Sequence, residues 1–237
     1  MGTSPPISRG MRKKSRTMDS GKMLYAITNR RLFGDGEPER RAALLRQTAI
    51  WAANGVDFIQ LREKDMSARE QVDLACAMMA ILRQTHSRTR LLINGRPDVA
   101  IACGADGVHL PSAAGELRPG DVRNIFQFAG KQPYIGISCH TLRDVKKACE
   151  DGADGILFAP VFGKVIQHGD GRSEELAGTG LAMLREACRL AGPVPVFALG
   201  GVTEENAAQC LRIGAAGVAA IRAMHQPASR WLSLVPR

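Results

Sequence analysis

The sequence predicts a single (β/α)8 barrel preceded by a short disordered basic tail, with the tail at 1–22 and the barrel at 23–237. Three observations carry this. A phrase that ends a helix and opens a strand occurs four times: Gly55-Val56-Asp57-Phe58-Ile59, Gly104-Ala105-Asp106-Gly107-Val108, Gly152-Ala153-Asp154-Gly155-Ile156 and Gly214-Ala215-Ala216-Gly217-Val218. Four more strand-like runs alternate with those phrases, and helix-compatible stretches fill the gaps. Glycine at the head of each phrase suits a left-handed helix cap, and the short apolar run behind it suits a strand covered on both faces, as in a parallel sheet.

In chain order, strands are expected at Leu24–Thr28, 57–61, Leu91–Asn94, 107–110, Tyr134–Ser138, 155–159, Val194–Leu199 and 217–221. Helices fit 40–54, 67–85, 97–103, 119–129, 141–150, 179–191, 203–213 and the stretch after 223, several opening on a capping residue such as Ser67 or Thr203. Eight such units complete a barrel at the compact end of its size range. A doubly wound sheet usually carries a Gly-x-Gly-x-x-Gly turn after its first strand, whereas this strand runs into Asn29-Arg30-Arg31.

Composition narrows the function classes. Apolar residues make up 45% and charged residues 23% of the 237, close to the averages for globular domains. No apolar run approaches the roughly 18 residues of a membrane span, so no membrane partner is expected. Six cysteines (Cys76, Cys103, Cys139, Cys149, Cys188, Cys210) form no Cys-x-x-Cys pair and sit in apolar segments, which speaks against a disulfide framework and fits a reducing cytoplasm. Of the +9 net charge, the first 22 residues contribute +5, from six cations against Asp19 alone. Such a tail attracts phosphate non-specifically, and no specific nucleic-acid partner is expected. A homo-oligomer is left open.

A barrel places its chemistry at the C-terminal ends of the strands, which turns the strand list into a site list. After the second strand, Gln60, Arg62 and Lys64 share a face by the period of two, setting an amide and two cations at the mouth. Their alternative is a solvated strand end. After the third strand, Asn94-Gly95-Arg96 offers Asn94 for a ring or an amide, although Asn-Gly is also a turn signal. After the fifth, Ser138 and His140 share a face, and a histidine can both take and give a proton, as an acid/base must. The plainer role is a hydrogen-bonded structural histidine. His109 is read as a packing residue and Cys139 as inert. Gly200-Gly201 after the seventh strand and Ile221-Arg222 after the eighth suit a phosphate site built on backbone N–H groups. The long stretch 162–180, with Lys164, His168 and Arg172, reads as a mobile lid or phosphate-facing loop, or as a solvated insertion.

Taken together, the Leu-Tyr-Ala-Ile-Thr opening, Gln60–Lys64, Leu92–Arg96, Gly104–Leu110, Gly155–Phe162, Gly200-Gly201 and the last Gly-Val-Ala phrase resemble the thiamine phosphate synthase and TenI superfamily from about Leu24 to Met224. The resemblance implies an enzyme acting on a thiazole phosphate. Synthases of that superfamily join a pyrimidine pyrophosphate to a thiazole phosphate and hold Mg²⁺ on two aspartates, where this chain has Gly95 and the run Pro111-Ser112-Ala113-Ala114. Glycine and alanine supply no side-chain oxygen. Those departures resemble the TenI branch, which tautomerises a thiazole carboxylate phosphate with a histidine at the position of His140. The first reading is therefore a metal-free tautomerase. A synthase needing Mg²⁺, favoured by the Gln60–Lys64 run, and a non-catalytic thiazole or thiamine phosphate binder are the alternatives.

Overall fold

A computed structural model describes residues 21–112, 115, 117–167, 173–225 and 231. The expected tail thus lies, but for its last two residues, outside the described residues. Strands and helices follow in the order β1 (Met23–Ile27), α1 (Glu37–Ala53), β2 (Phe58–Leu61), α2 (Ala68–Gln84), β3 (Arg90–Asn94), α3 (Pro97–Cys103), β4 (Gly107–Leu110), α4 (Pro119–Phe128), β5 (Tyr134–Cys139) and α5 (Leu142–Glu150). The second half continues with β6 (Gly155–Phe158), β7 (Lys164–Gln167), β8 (Ser173–Leu176), α6 (Gly180–Ala191), β9 (Val196–Ala198), α7 (Glu204–Arg212) and β10 (Gly217–Ala220). Eight of the strands close into a parallel barrel, β1 through β6 followed by β9 and β10, which pairs back onto β1. The (β/α)8 barrel read from the sequence is the observed fold.

All four phrase glycines have positive φ: Gly55 at 63°, Gly104 at 71°, Gly152 at 81° and Gly214 at 114°. Behind three of them the aspartate has a task that the sequence reading left unassigned. Asp57, Asp106 and Asp154 each accept the backbone N–H of the neighbouring strand, from Leu24, Leu91 and Ile135, all at 2.8 Å. These carboxylates pin the registers β1–β2, β3–β4 and β5–β6 at the base. The fourth phrase has Ala216, and only backbone bonds serve there.

Two apolar layers result. Inside the barrel, Tyr25 stacks on Phe58 with centroids 5.4 Å apart and meets Phe197 edge-on, with Leu92, Leu157 and Ala219 filling the same space. Outside it, Trp51, Leu44, Met78, Phe126 and Val145 join the helices to the strands. Capping boxes at Ser67/Glu70 and Thr141/Asp144 fix where α2 and α5 begin.

Three details differ from the sequence reading. The seventh barrel strand is shorter than Val194–Leu199, because Pro193 and Pro195 flank Val194 and remove N–H donors from the ladder. Within the stretch expected as a lid, β7 and β8 pair as an antiparallel ribbon. After 223, the described residues show a 3₁₀ turn, Ala223–His225, and then buried, helical Trp231, so the rest of the helix expected there lies outside the described residues.

Candidate active site

β2 ends at Leu61, so the period of two does not extend through Lys64 as the sequence reading assumed. Gln60 is buried and donates to the side-chain oxygen of Asn94 at 3.1 Å, uniting two predicted residues from adjacent strands. Beyond the strand, Arg62 is tied by its backbone N–H to Thr28. The loop carrying Arg62 and Lys64 is organised by a residue missed in the sequence, Arg30. Its backbone N–H and guanidinium donate to Glu63 at 3.0 Å each, and the guanidinium also reaches Asp65 and Glu37. Arg30 and Glu63 are both buried. The Arg30 hydrogen bonds hold the Asp65 carboxyl well below its ordinary range and, with help from Arg41, lower that of Glu37.

This network sorts the loop's charges. Glu63 and Asp65 are consumed by Arg30, while Arg62 and Lys64, which alternate with them, have no carboxylate partner among the described residues. Half-buried Arg62 therefore brings to the mouth a charge that no carboxylate among the described residues neutralises. The signal was present as alternating signs in Arg62-Glu63-Lys64-Asp65, but its partner lay 33 residues away.

On β5, Ser138 bonds His109 Nε2 through its hydroxyl at 2.8 Å. His109 is thus more than the packing residue expected from sequence: it is buried, and its Nδ1 lies 3.3 Å from the Tyr25 hydroxyl. Burial, helped by the charge of Arg62, pushes its pKa down to about 3, so it is neutral at physiological pH. His140 differs in every respect. It is exposed, its backbone N–H is clamped by Asp144, and its Nδ1 lies 2.6 Å from the Ala159 carbonyl. A carbonyl only accepts, so Nδ1 carries the hydrogen and Nε2 keeps a lone pair for proton transfer. Cys139, facing the opposite way, is buried with its thiol pushed up to about 12, which makes it inert.

After β9, Gly200 and Gly201 have φ of 89° and 63°, and a Cβ on either would stand 2.7 Å from Pro160 or Phe162. Glycine is required at both positions. Their amide N–H groups, and those of Ile221 and Arg222 after β10, find no acceptor among the described residues. This is the donor arrangement expected of a phosphate cradle. Arg222 is exposed nearby in sequence, whereas the side chain of Lys164 and all of His168 and Arg172 fall outside the described residues.

A Mg²⁺ ion held by two carboxylates does not fit this donor set. Gly95, at φ 66°, uses its N–H on the His109 carbonyl and offers no side-chain oxygen, and Asp98 is taken up by Arg96. Ala114 lies outside the described residues. At the other end of the barrel, a cavity of about 340 Å³ is lined by Arg90, Asp106, Gln132, Pro133, Tyr134 and Asp154. Its carboxylates already hold strand backbone, and Arg90 lies over the Phe58 and Tyr134 rings, so this hollow belongs to the scaffold.

Fold and mouth together define a (β/α)8 barrel protein whose strand ends gather cations, amides and backbone donors without acceptors among the described residues at one mouth. The chain belongs to the thiamine monophosphate synthase family, whose pattern matches residues 24–224, and is thereby an enzyme of thiamine biosynthesis. It is 36% identical over 201 residues to thiamine-phosphate synthase of Methanoculleus marisnigri, covering 85% of this chain and 86% of that one. Thiamine-phosphate synthase of Roseiflexus castenholzii is 34% identical over 202 residues, covering 85% and 80%. Among solved structures, thiamine phosphate pyrophosphorylase of Pyrococcus furiosus superposes with a TM-score of 0.69 at 25% identity, over 90% of this chain and 94% of that one. No helix among the described residues is long and apolar enough to cross a membrane.

Proposed function

We propose that the protein is a thiamine-phosphate synthase, joining a pyrimidine pyrophosphate to a thiazole phosphate. The observation that carries this is the pair of cations without carboxylate partners among the described residues, Arg62 and Lys64, next to the Gln60–Asn94 hydrogen bond, while the acids of the same loop are consumed by Arg30. The names of these relatives support the same reaction and weigh it ahead of the tautomerase that the sequence favoured. In the coupling, the bond from the pyrimidine methylene carbon to the pyrophosphate oxygen breaks, and its electron pair leaves with pyrophosphate. The thiazole nitrogen then forms the new carbon–nitrogen bond with its lone pair. Negative charge grows on the leaving group, where fixed cations lower the barrier. Arg62 and Lys64 supply them. Gln60 and Asn94 orient a ring, and the amides of Gly200, Gly201, Ile221 and Arg222 hold the thiazole phosphate. No step is routed through a metal.

A second reading, the thiazole tautomerase, is favoured by His140. Its Nε2 lone pair and exposure suit a general base, and a proton shift needs no carboxylate at position 95. One experiment separates the readings. The protein is given the pyrimidine and thiazole substrates, or the unaromatised thiazole carboxylate phosphate, each with Mg²⁺ and with chelator. Pyrophosphate release supports the synthase. Ring isomerisation without release, abolished by His140→Ala, replaces it with the tautomerase, and tight binding without either reaction leaves only a binder.

A further inference from the structure

The interior of the barrel holds a polar column that the proposed reaction does not use. Tyr25, fully buried on β1, meets His109 on β4, and His109 meets Ser138 on β5 near the mouth. Room for the imidazole is built in, since a Cβ at Gly136 would come within 2.8 Å of its Nδ1. The hydrogen-bond polarity of this column follows from counting donors. Burial raises the Tyr25 pKa well above its ordinary value, so the phenol keeps its proton. Among the described residues its only hydrogen-bond partner is His109 Nδ1. A buried O–H left without an acceptor costs roughly 1–3 kcal/mol, which directs the phenol to donate to Nδ1. The neutral imidazole then carries its hydrogen on Nε2 and donates to the Ser138 oxygen. Ser138, its oxygen accepting from behind, has its own O–H left for the mouth.

We propose that Tyr25 and His109 are positioning residues that make Ser138 an obligate hydrogen-bond donor to an anionic oxygen of the substrate. An anion is the recipient because His109 sits in register beside Asn94, the partner of Gln60 on the strand that runs into Arg62, so the hydroxyl and the guanidinium serve one neighbourhood. This rests on the reading of the mouth as an anion site and holds for either reaction.

The test has two arms. In the free protein, nitrogen-detected histidine spectra should show His109 neutral as the Nε2–H tautomer from pH 8 to pH 5; the Nδ1–H tautomer, or protonation within that range, overturns the relay. In the second arm, binding of inorganic pyrophosphate is measured by calorimetry for the parent, Tyr25→Phe, Ser138→Ala and the double variant. Ser138→Ala should weaken binding about tenfold and Tyr25→Phe about three- to tenfold, while Tyr25→Phe should change nothing further once Ser138 is alanine. Equal losses from Tyr25→Phe in both backgrounds would refute action through Ser138. Should His109→Gln, a second probe of the relay, keep parental affinity while folded, the positioning role is also refuted. A parent that binds no pyrophosphate but shows the Nε2–H tautomer overturns the anion site and its recipient role while leaving the column's polarity intact.

Discussion

The two ends of this barrel use the same kinds of side chain for opposite purposes. At the base, Asp57, Asp106 and Asp154 are each committed to a strand N–H at 2.8 Å, and Arg90 is laid across two rings. At the mouth, Arg62 and Lys64 have no carboxylate partner among the described residues, four amides have no acceptor there, and His140 keeps an open nitrogen. A charge whose partner is built into the chain stabilises the fold. A charge whose partner is missing awaits a ligand. Arg30 is the instructive exception: it sits at the mouth and behaves like a residue of the base, its three carboxylates leaving it nothing for a substrate.

The sharpest way to break this contrast is therefore Arg30→Met. It strands buried Glu63 without its cation, and losing one partner of a buried pair costs about 3–5 kcal/mol. Chemical denaturation should register that loss. A protein that stays as stable but loses substrate affinity would make Arg30 a binding residue. The next effect belongs to Arg62→Ala, which should leave the denaturation midpoint within error and lower kcat/KM by about 10²–10³-fold, as for removal of one preorganised stabiliser of developing charge. Steady-state kinetics on the reacting substrate checks it. At the base, Asp106→Ala should do the reverse, unfolding about 1–3 kcal/mol more easily because the Leu91 N–H loses its acceptor, with kcat unchanged.

The smallest effect is a pH dependence. Burial pushes His109 down to about 3 and His225 down to about 4, so the native state leaves both neutral where the unfolded chain titrates near 6.5. Below about 6.5 the unfolded state binds more protons, and stability must fall as pH falls. Each histidine contributes a slope of up to about 1.4 kcal/mol per pH unit between roughly pH 6 and 4. His109→Gln should remove its share, measured as a shallower dependence of unfolding free energy on pH. An unchanged slope would mean that His109 is protonated in the native state.

How much of this was legible in the sequence depends on how far apart the partners lie. Helix caps and strand starts are local events, and the repeated glycine phrase marked the positive-φ caps correctly because the cap and its glycine are neighbours. The aspartate in the same phrase was visible but mute, since its acceptor role needs a strand between 15 and 33 residues back. His109 was undervalued for the same reason: Tyr25 and Ser138, which turn it from filler into a link, are 84 and 29 residues away. Gln60 and Asn94 were both named, yet not as a pair. The period of two failed at Lys64 because an alternation rule ends where the strand does.

The aspartate at the base also divides the chain into quarters. Each carboxylate clasps an odd barrel strand to the even one that follows, so the first six strands form three bolted pairs, and the pair β9–β10 has an alanine where the bolt would be. The wall of the cylinder is therefore least braced from β6 round through β9 and β10 to β1, where three successive seams carry no such clasp. Amide hydrogens around β9 and β10 should exchange earliest among the barrel strands, and the cylinder should unroll from there.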